Sequence, residues 1–361
     1  MTGGLRRKRG WPRRLKLASA ATAACGLALL GGAGPASATI AYERNAAGGS
    51  PSIWVSENSG ASPRMLVGGS GGLQPLIAPD GSAVLFQSLP AHGPPALELV
   101  ATTGGSPVRL AVSAAGSFST VWSPDSKTIA TTLGISPERE RLVLIDVATR
   151  SMRTIASGSF QGASFSPDSS QLAYARAPNF KHFPASSDIY TVAVAGGVPK
   201  RITANHRSTV PVWGPTKIAF ARTFKARGRR EDAPKSNVWL MNADSSQARQ
   251  LTRQRAPFLL SGPAPVAWSA SGAQLLAQFG GQDTAYGEGV NPLTGAVHRL
   301  TAKTSIALQL EAAGISRDGS TVLATTGGLE PSSASAIVTV PFAGGPPTTL
   351  IRGGFAPTWN G

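Results

Sequence analysis

The chain has 361 residues, with 42 glycines, 28 prolines and only 14% charged residues. That length is more than one compact core usually holds, and no long helical pattern appears after the first 38 residues. The formal charge of +16 would suit a nucleic-acid partner, but the segment at the N-terminus argues for export and against such a partner.

Arg6, Arg7, Lys8, Arg9, Arg13, Arg14 and Lys16 form a basic region, followed by an apolar Ala-rich stretch from Leu17 to Leu30. Ala36-Ser37-Ala38 then has the small-residue form of a secretory cleavage site. The expectation is a signal peptide over 1–38 and a mature domain over 39–361, periplasmic or extracellular, with no membrane span once the signal is removed. Lipid anchoring at Cys25 is not expected, because Thr22 stands where such signals carry leucine. Seven of the 34 Lys/Arg and none of the 18 acids precede Thr39, which leaves +9, and the only cysteine goes with them. No disulfide can then close the mature fold.

From Ile77 onward a phrase recurs that reads as strand, tight turn, strand: IAPDGSAVLFQS, then WSPDSKTIATT from Trp122 and FSPDSSQLAYAR from Phe165. Looser copies begin at Trp213, Trp268 and Ile315, and Trp359-Asn360-Gly361 opens one more. The seven anchors are separated by 45, 43, 48, 55, 47 and 44 residues. Each repeat continues into a second strand pair, beginning at Ile53, Leu97, Leu142, Ile189, Val238, Gly287 and Ile337. Four strands per unit at this period predict a β-propeller, with strands a to d running outward in each blade. Only six first halves are complete. The seventh is divided: Ala38–Arg44 reads as strand b and Phe355–Trp359 as strand a. The predicted fold is all-β, a seven-bladed propeller of four-stranded antiparallel blades, closed by pairing of the N-terminal and C-terminal strands within one blade.

The anchor aromatic followed by Ser-Pro-Asp-Ser/Gly, an apolar strand, Ile-Tyr or Val-Trp, and Arg-x-Leu/Ile-Thr resembles the TolB-like, WD-repeat-like β-propeller repeats of bacterial envelope proteins. The resemblance covers nearly all of 39–361 and implies the fold far more than a function. TolB itself carries an extra α/β domain before a six-bladed propeller. Here strand-like Ile40 follows the signal directly and seven units are counted, so the chain is read as TolB-like and not as TolB. The resemblance also extends to propellers that precede prolyl-oligopeptidase-type domains, for which no residues remain.

The predicted inner strands hold no Asp, Glu, His, Lys, Arg or Cys. General acid–base catalysis and metal binding both need such groups, so no catalytic residue, metal or cofactor is expected. Asp80, Asp125, Asp168 and Asp318 fall one per blade at the a–b turns and are read as turn caps. Gly68-Gly69-Ser70-Gly71-Gly72 matches a nucleophile elbow in letters only, because Leu73–Ile77 reads as a strand where that motif needs a helix.

The distinctive stretches are the b–c and d–a loops between 176 and 265. Lys181, Arg207, Lys225, Arg227, Arg229, Arg230, Arg253 and Arg255 form the candidate site for an anionic partner, joined by Arg176, Arg222 and Lys235 and interleaved with Phe180, Phe183, Phe224 and Phe258. The function expected is that of an exported, monomeric, non-enzymatic scaffold binding an envelope protein or an anionic cell-surface polymer. The alternative is a carbohydrate-active lyase or hydrolase working at the channel mouth, for which Asp283, Glu288 and Glu311 are the acids to inspect.

Overall fold

The computed structural model describes residues 39–361 apart from 46–50, 69–71, 91, 115–117, 137–138, 179–185, 226–233, 282–283, 302–308 and 328–333. The expected signal peptide therefore lies outside the described residues. Among these residues every helical or extended element is a strand, and every pairing is antiparallel.

Strands β1 (Thr39–Asn45), β2 (Pro51–Glu57) and β3 (Arg64–Val67) pair in order. A four-stranded sheet follows from β4 (Gly72–Ile77), β5 (Ala83–Ser88), β6 (Ala96–Ala101) and β7 (Val108–Val112). The next sheet has seven strands: β8 (Thr120–Trp122), β9 (Thr128–Ser136), β10 (Arg139–Asp146), β11 (Met152–Phe165), β12 (Gln171–Ala177), β13 (Asp188–Ala193) and β14 (Lys200–Arg201). Three further four-stranded sheets are formed by β15 (Ser208–Trp213), β16 (Ile218–Phe224), β17 (Lys235–Met241) and β18 (Arg249–Gln250); by β19 (Leu260–Trp268), β20 (Leu275–Gly281), β21 (Ala285–Val290) and β22 (Val297–Arg299); and by β23 (Leu310–Ile315), β24 (Thr321–Thr326), β25 (Ala336–Pro341) and β26 (Thr348–Arg352). Finally β27 (Gly354–Trp359) returns to pair with β1, with Ile40 opposite Trp359 and Arg44 opposite Gly354.

Strand β11 is long because it serves two partners. It pairs with β10 up to Gly158 and with β12 from Ser159. Gly158 sits at the changeover with φ +155°, where a Cβ would come within 2.7 Å of the Ala177 carbonyl oxygen.

The middle strands carry consecutive buried residues, as in β5, β10, β16 and β24, so each sheet has two apolar faces, and these stack on the neighbouring sheets. Ile53, Val55 and Val67 from the first sheet pack with Val84, Phe86 and Val100 from the second. Equivalent clusters join each sheet to the next along the chain, and Ile40 and Tyr42 of β1 pack against Leu323, Ile337 and Ile351 of the last. The core is thus a series of inter-sheet layers. The anchor residues Ile77, Phe165 and Ile315 are buried in it, whereas Trp122, Trp213, Trp268 and Trp359 are half-buried. Two of these indoles reach back to the preceding inner strand: Trp122 Nε1 donates to the Leu76 carbonyl and Trp268 Nε1 to the Val212 carbonyl, each at 3.1 Å.

The recurring Ser-Pro-Asp-Ser turn is held by its own side chains. Ser123 Oγ donates to Asp125 Oδ1 at 2.6 Å, and Asp125 Oδ1 also accepts the Lys127 N–H at 3.1 Å. Ser126 takes φ +61°, a position usually given to glycine. Its hydroxyl gives a reason for serine there, because it accepts the Asp80 N–H of the preceding turn at 3.0 Å. Ser169 does the same for the Asp125 N–H at 3.1 Å.

Candidate functional site

Two places are candidates for a binding site. The first is a cavity of about 380 Å³ between the inner strands β27, β4 and β8. Leu76, Leu85, Leu97 and Phe118 supply its apolar surface, and Gln74, Ser119, Thr120 and Thr358 its polar groups. No titratable side chain is among the described residues that line it. Gln74 adopts φ +52° in a bulge of β4, and Ala356 repeats this in β27 with φ +46°.

Bonded to Gln74 of this lining is Glu43, which is 3% exposed. Its carboxylate accepts the Gln74 backbone N–H at 2.6 Å. Burial pushes its pKa up to about 7, and the Gln74 hydrogen bond opposes that only in part. Gln87 and Gln278 do the same work with neutral carboxamides. Gln87 bridges to Phe118, and Gln278 bridges the Leu310 carbonyl and the Ala312 N–H. In the aligned copies these three residues share one position of strand b, a polar residue among apolar neighbours. That was the signal available in the sequence for residues that did not appear among the candidates.

The second place is the face carrying the b–c and d–a loops. Consecutive antiparallel pairing puts these loops at one end of every sheet and the a–b and c–d turns at the other. Arg207, Lys225, Arg253 and Arg255 are exposed there. Lys181, Arg227, Arg229, Arg230, Phe180 and Phe183 lie outside the described residues. The three accompanying cations have other roles. Arg176 Nε donates to the Ser157 carbonyl at 2.8 Å, and the Arg222 guanidinium lies 4.5 Å from the centre of the Trp239 ring. Lys235 is buried, with Nζ donating to the carbonyls of Pro257 at 2.6 Å and Leu260 at 2.8 Å.

Asp188 organises the neighbouring loop from a buried position. Its Oδ1 accepts the His206 N–H at 2.9 Å and the Thr203 hydroxyl at 3.1 Å, while Oδ2 lies 3.1 Å from Arg201 and 2.9 Å from His206 Nδ1. The loop that presents Arg207 is therefore built around a buried, fully engaged carboxylate.

Of the acids proposed for a lyase or hydrolase, Glu311 is exposed at the start of β23 and Glu288 is buried in β21. Asp283 is outside the described residues. Burial raises the Glu288 pKa to about 7 against the opposing effects of the Gln254 amide, 2.6 Å away, and of Arg299. Among the described residues no group of three His, Cys, Asp or Glu converges to hold a metal. His206 lies against Asp188 and His298 Nε2 lies 2.6 Å from the Phe342 carbonyl, in separate sheets.

No family model matches the sequence, and no curated protein matches it either. Solved structures do. The β-propeller domain of the Trilobed protease from Pyrococcus furiosus aligns with a TM-score of 0.56 at 10% identity, over 78% of this chain and 84% of that one. The fold is a β-propeller. TolB from Acinetobacter baumannii aligns at 0.50 with 16% identity, over 89% of this chain and 82% of its own. An oligogalacturonate lyase in complex with manganese aligns at 0.56 with 17% identity, over 77% and 76%. At these identities the likeness is one of fold, and it spans a TolB and an enzyme alike. No helix among the described residues is long and apolar enough to cross a membrane.

Proposed function

We propose that this is an exported, non-enzymatic propeller that binds an anionic envelope protein or cell-surface polymer through its b–c and d–a loop face. In this reading it has seven blades. The seven-stranded sheet counts as two blades sharing β11, and β27 with β1 closes the ring. The stacking of the last sheet on β1 supports that closure.

One observation carries the functional reading. Between β12 and β19 the cations Arg207, Lys225, Arg253 and Arg255 are exposed, while Asp188, the acid of these loops among the described residues, is buried and already bonded. Among the described residues of that surface a partner meets positive charge without competing carboxylates, while Glu231 and Asp232 of the β16–β17 loop lie outside the described residues, along with Arg227, Arg229 and Arg230. The uncharged lining of the inner cavity supports a role without acid–base chemistry.

The test is retention of the purified chain on immobilised poly-L-glutamate, before and after changing Arg207, Lys225, Arg253 and Arg255 to serine. Retention should be lost in the variant and abolished by high salt in the wild type. Equal retention of both proteins at every salt concentration would defeat the proposal.

A further inference from the structure

The loop before β19 combines features that a solvated loop has no need of. Pro257 to Leu260 form a tight turn closed by the Leu260 N–H donating to the Pro257 carbonyl at 3.2 Å. Leu259 occupies its third position with φ +66°. That conformation normally falls to Gly or Asn, because a side chain there crowds the following carbonyl. The leucine is nonetheless 37% exposed, next to Phe258 at 46%. The turn is held rigid from below, since the buried Lys235 ammonium bonds the carbonyls at both of its ends. Lys235 is also the register partner of Phe224, which is 40% exposed. A strained backbone, a buried clamp and three large apolar side chains thus coincide at one tip. Exposed Lys225, Arg253 and Arg255 flank it in the chain.

We infer that this tip, formed by Phe224, Phe258 and Leu259, inserts into the interface of an anionic lipid bilayer, with the flanking cations against the lipid phosphates. The inference rests on the basic face proposed above and takes an anionic lipid surface, in place of a protein or polymer, as what that face meets. The chemistry favours lipid over a folded protein. The tip is a turn presenting apolar side chains outward with cations beside them, which suits an acyl region beneath a layer of phosphates. A protein partner would have to provide a matching apolar pocket rimmed with acids.

The experiment is co-sedimentation of the full chain with vesicles of phosphatidylcholine alone and of phosphatidylcholine with phosphatidylglycerol, alongside poly-L-glutamate retention. The wild type should partition onto the anionic vesicles and be released by high salt. Phe258→Ser and Leu259→Gly should each weaken that partition by about tenfold, the effect of withdrawing one large apolar side chain. Leu259→Gly should do so with an unchanged or higher Tm, since glycine relieves the positive φ, so loss of binding cannot be ascribed to misfolding. Vesicle binding that is indifferent to both substitutions would overturn the tip while leaving the basic face standing. Retention on poly-L-glutamate without vesicle binding would overturn the lipid assignment alone. Absence of both would remove the inference together with the function it rests on.

Discussion

The Glu43 carboxylate accepts the Gln74 backbone N–H at 2.6 Å, from a position where water scarcely reaches. The bond joins β1 to the inner strand of the next sheet, yet the acid making it is held well above its ordinary value of 4.5, at about 7, by its burial. The next repeat uses glutamine, Gln87, at the same place, and so does the β19–β22 sheet with Gln278.

That difference has a pH signature. Between 4.5 and about 7 the folded chain keeps the Glu43 proton that the unfolded chain releases. The contribution is full below 4.5 and is lost as pH rises through 7, amounting to about 3 kcal/mol at most. Glu288 acts in the same sense over the same window. Thermal unfolding should therefore occur at lower temperature at pH 8 than at pH 5.5. Glu43→Gln, which keeps an acceptor for Gln74, should remove part of that slope. An identical slope in the variant would show that Glu43 is not its source.

The turn aspartates work in the opposite direction. Asp168 and Asp318 are held below their ordinary 3.8, chiefly by the hydroxyls of Ser166 and Ser316, then by the N–H and hydroxyl groups of Ser170 and Ser320. Their stabilisation is present above 3.8 and disappears as the solution is acidified through their folded values. Asp168→Asn should flatten the acid limb of the Tm profile. Added calcium should leave Tm unchanged, because each carboxylate bonds within its own turn. A calcium-dependent rise in Tm would reassign these turns as metal sites.

Trp122 contributes through packing and through its indole N–H on the Leu76 carbonyl. Trp122→Phe should cost about 1 kcal/mol, the net value of one such hydrogen bond. Trp122→Ala should cost about 3 kcal/mol, at the lower end for aromatic truncation because the ring is only half-buried. Chemical denaturation of both variants separates the two contributions. Equal losses would mean that the hydrogen bond carries the whole effect.

Asp188 concentrates its bonds on one loop. Asp188→Ala should destabilise the chain by about 2 kcal/mol and increase hydrogen exchange at His206 and Arg207, whose conformation it sets. Exchange that stays at the wild-type rate would mean that the loop holds its shape without the carboxylate.

The sheets were readable from the sequence because their determinants are local and repeated. Short apolar strands and a turn built by Ser, Pro and Asp recur along the chain, and β27 pairs with β1. The site was less readable, because residue type does not say where a long side chain goes. Arg222 and Lys235 look like surface charge in the sequence, but one stacks on Trp239 and the other lies buried beneath a turn. Leu259 gave no warning either, since only the backbone conformation shows that it occupies a glycine's position.

The bonds that leave one sheet for the inner strand of another have a consequence for how the protein comes apart. Glu43 to Gln74, Trp122 to Leu76, Lys235 to Leu260 and Gln278 to Ala312 each tie neighbours that share no strand pairing. In a stacked repeat array, strong nearest-neighbour coupling turns a row of marginal units into a single cooperative one. Loosening one sheet therefore weakens the two beside it, and the melting transition should be sharp, without the staggered steps of units that unfold independently.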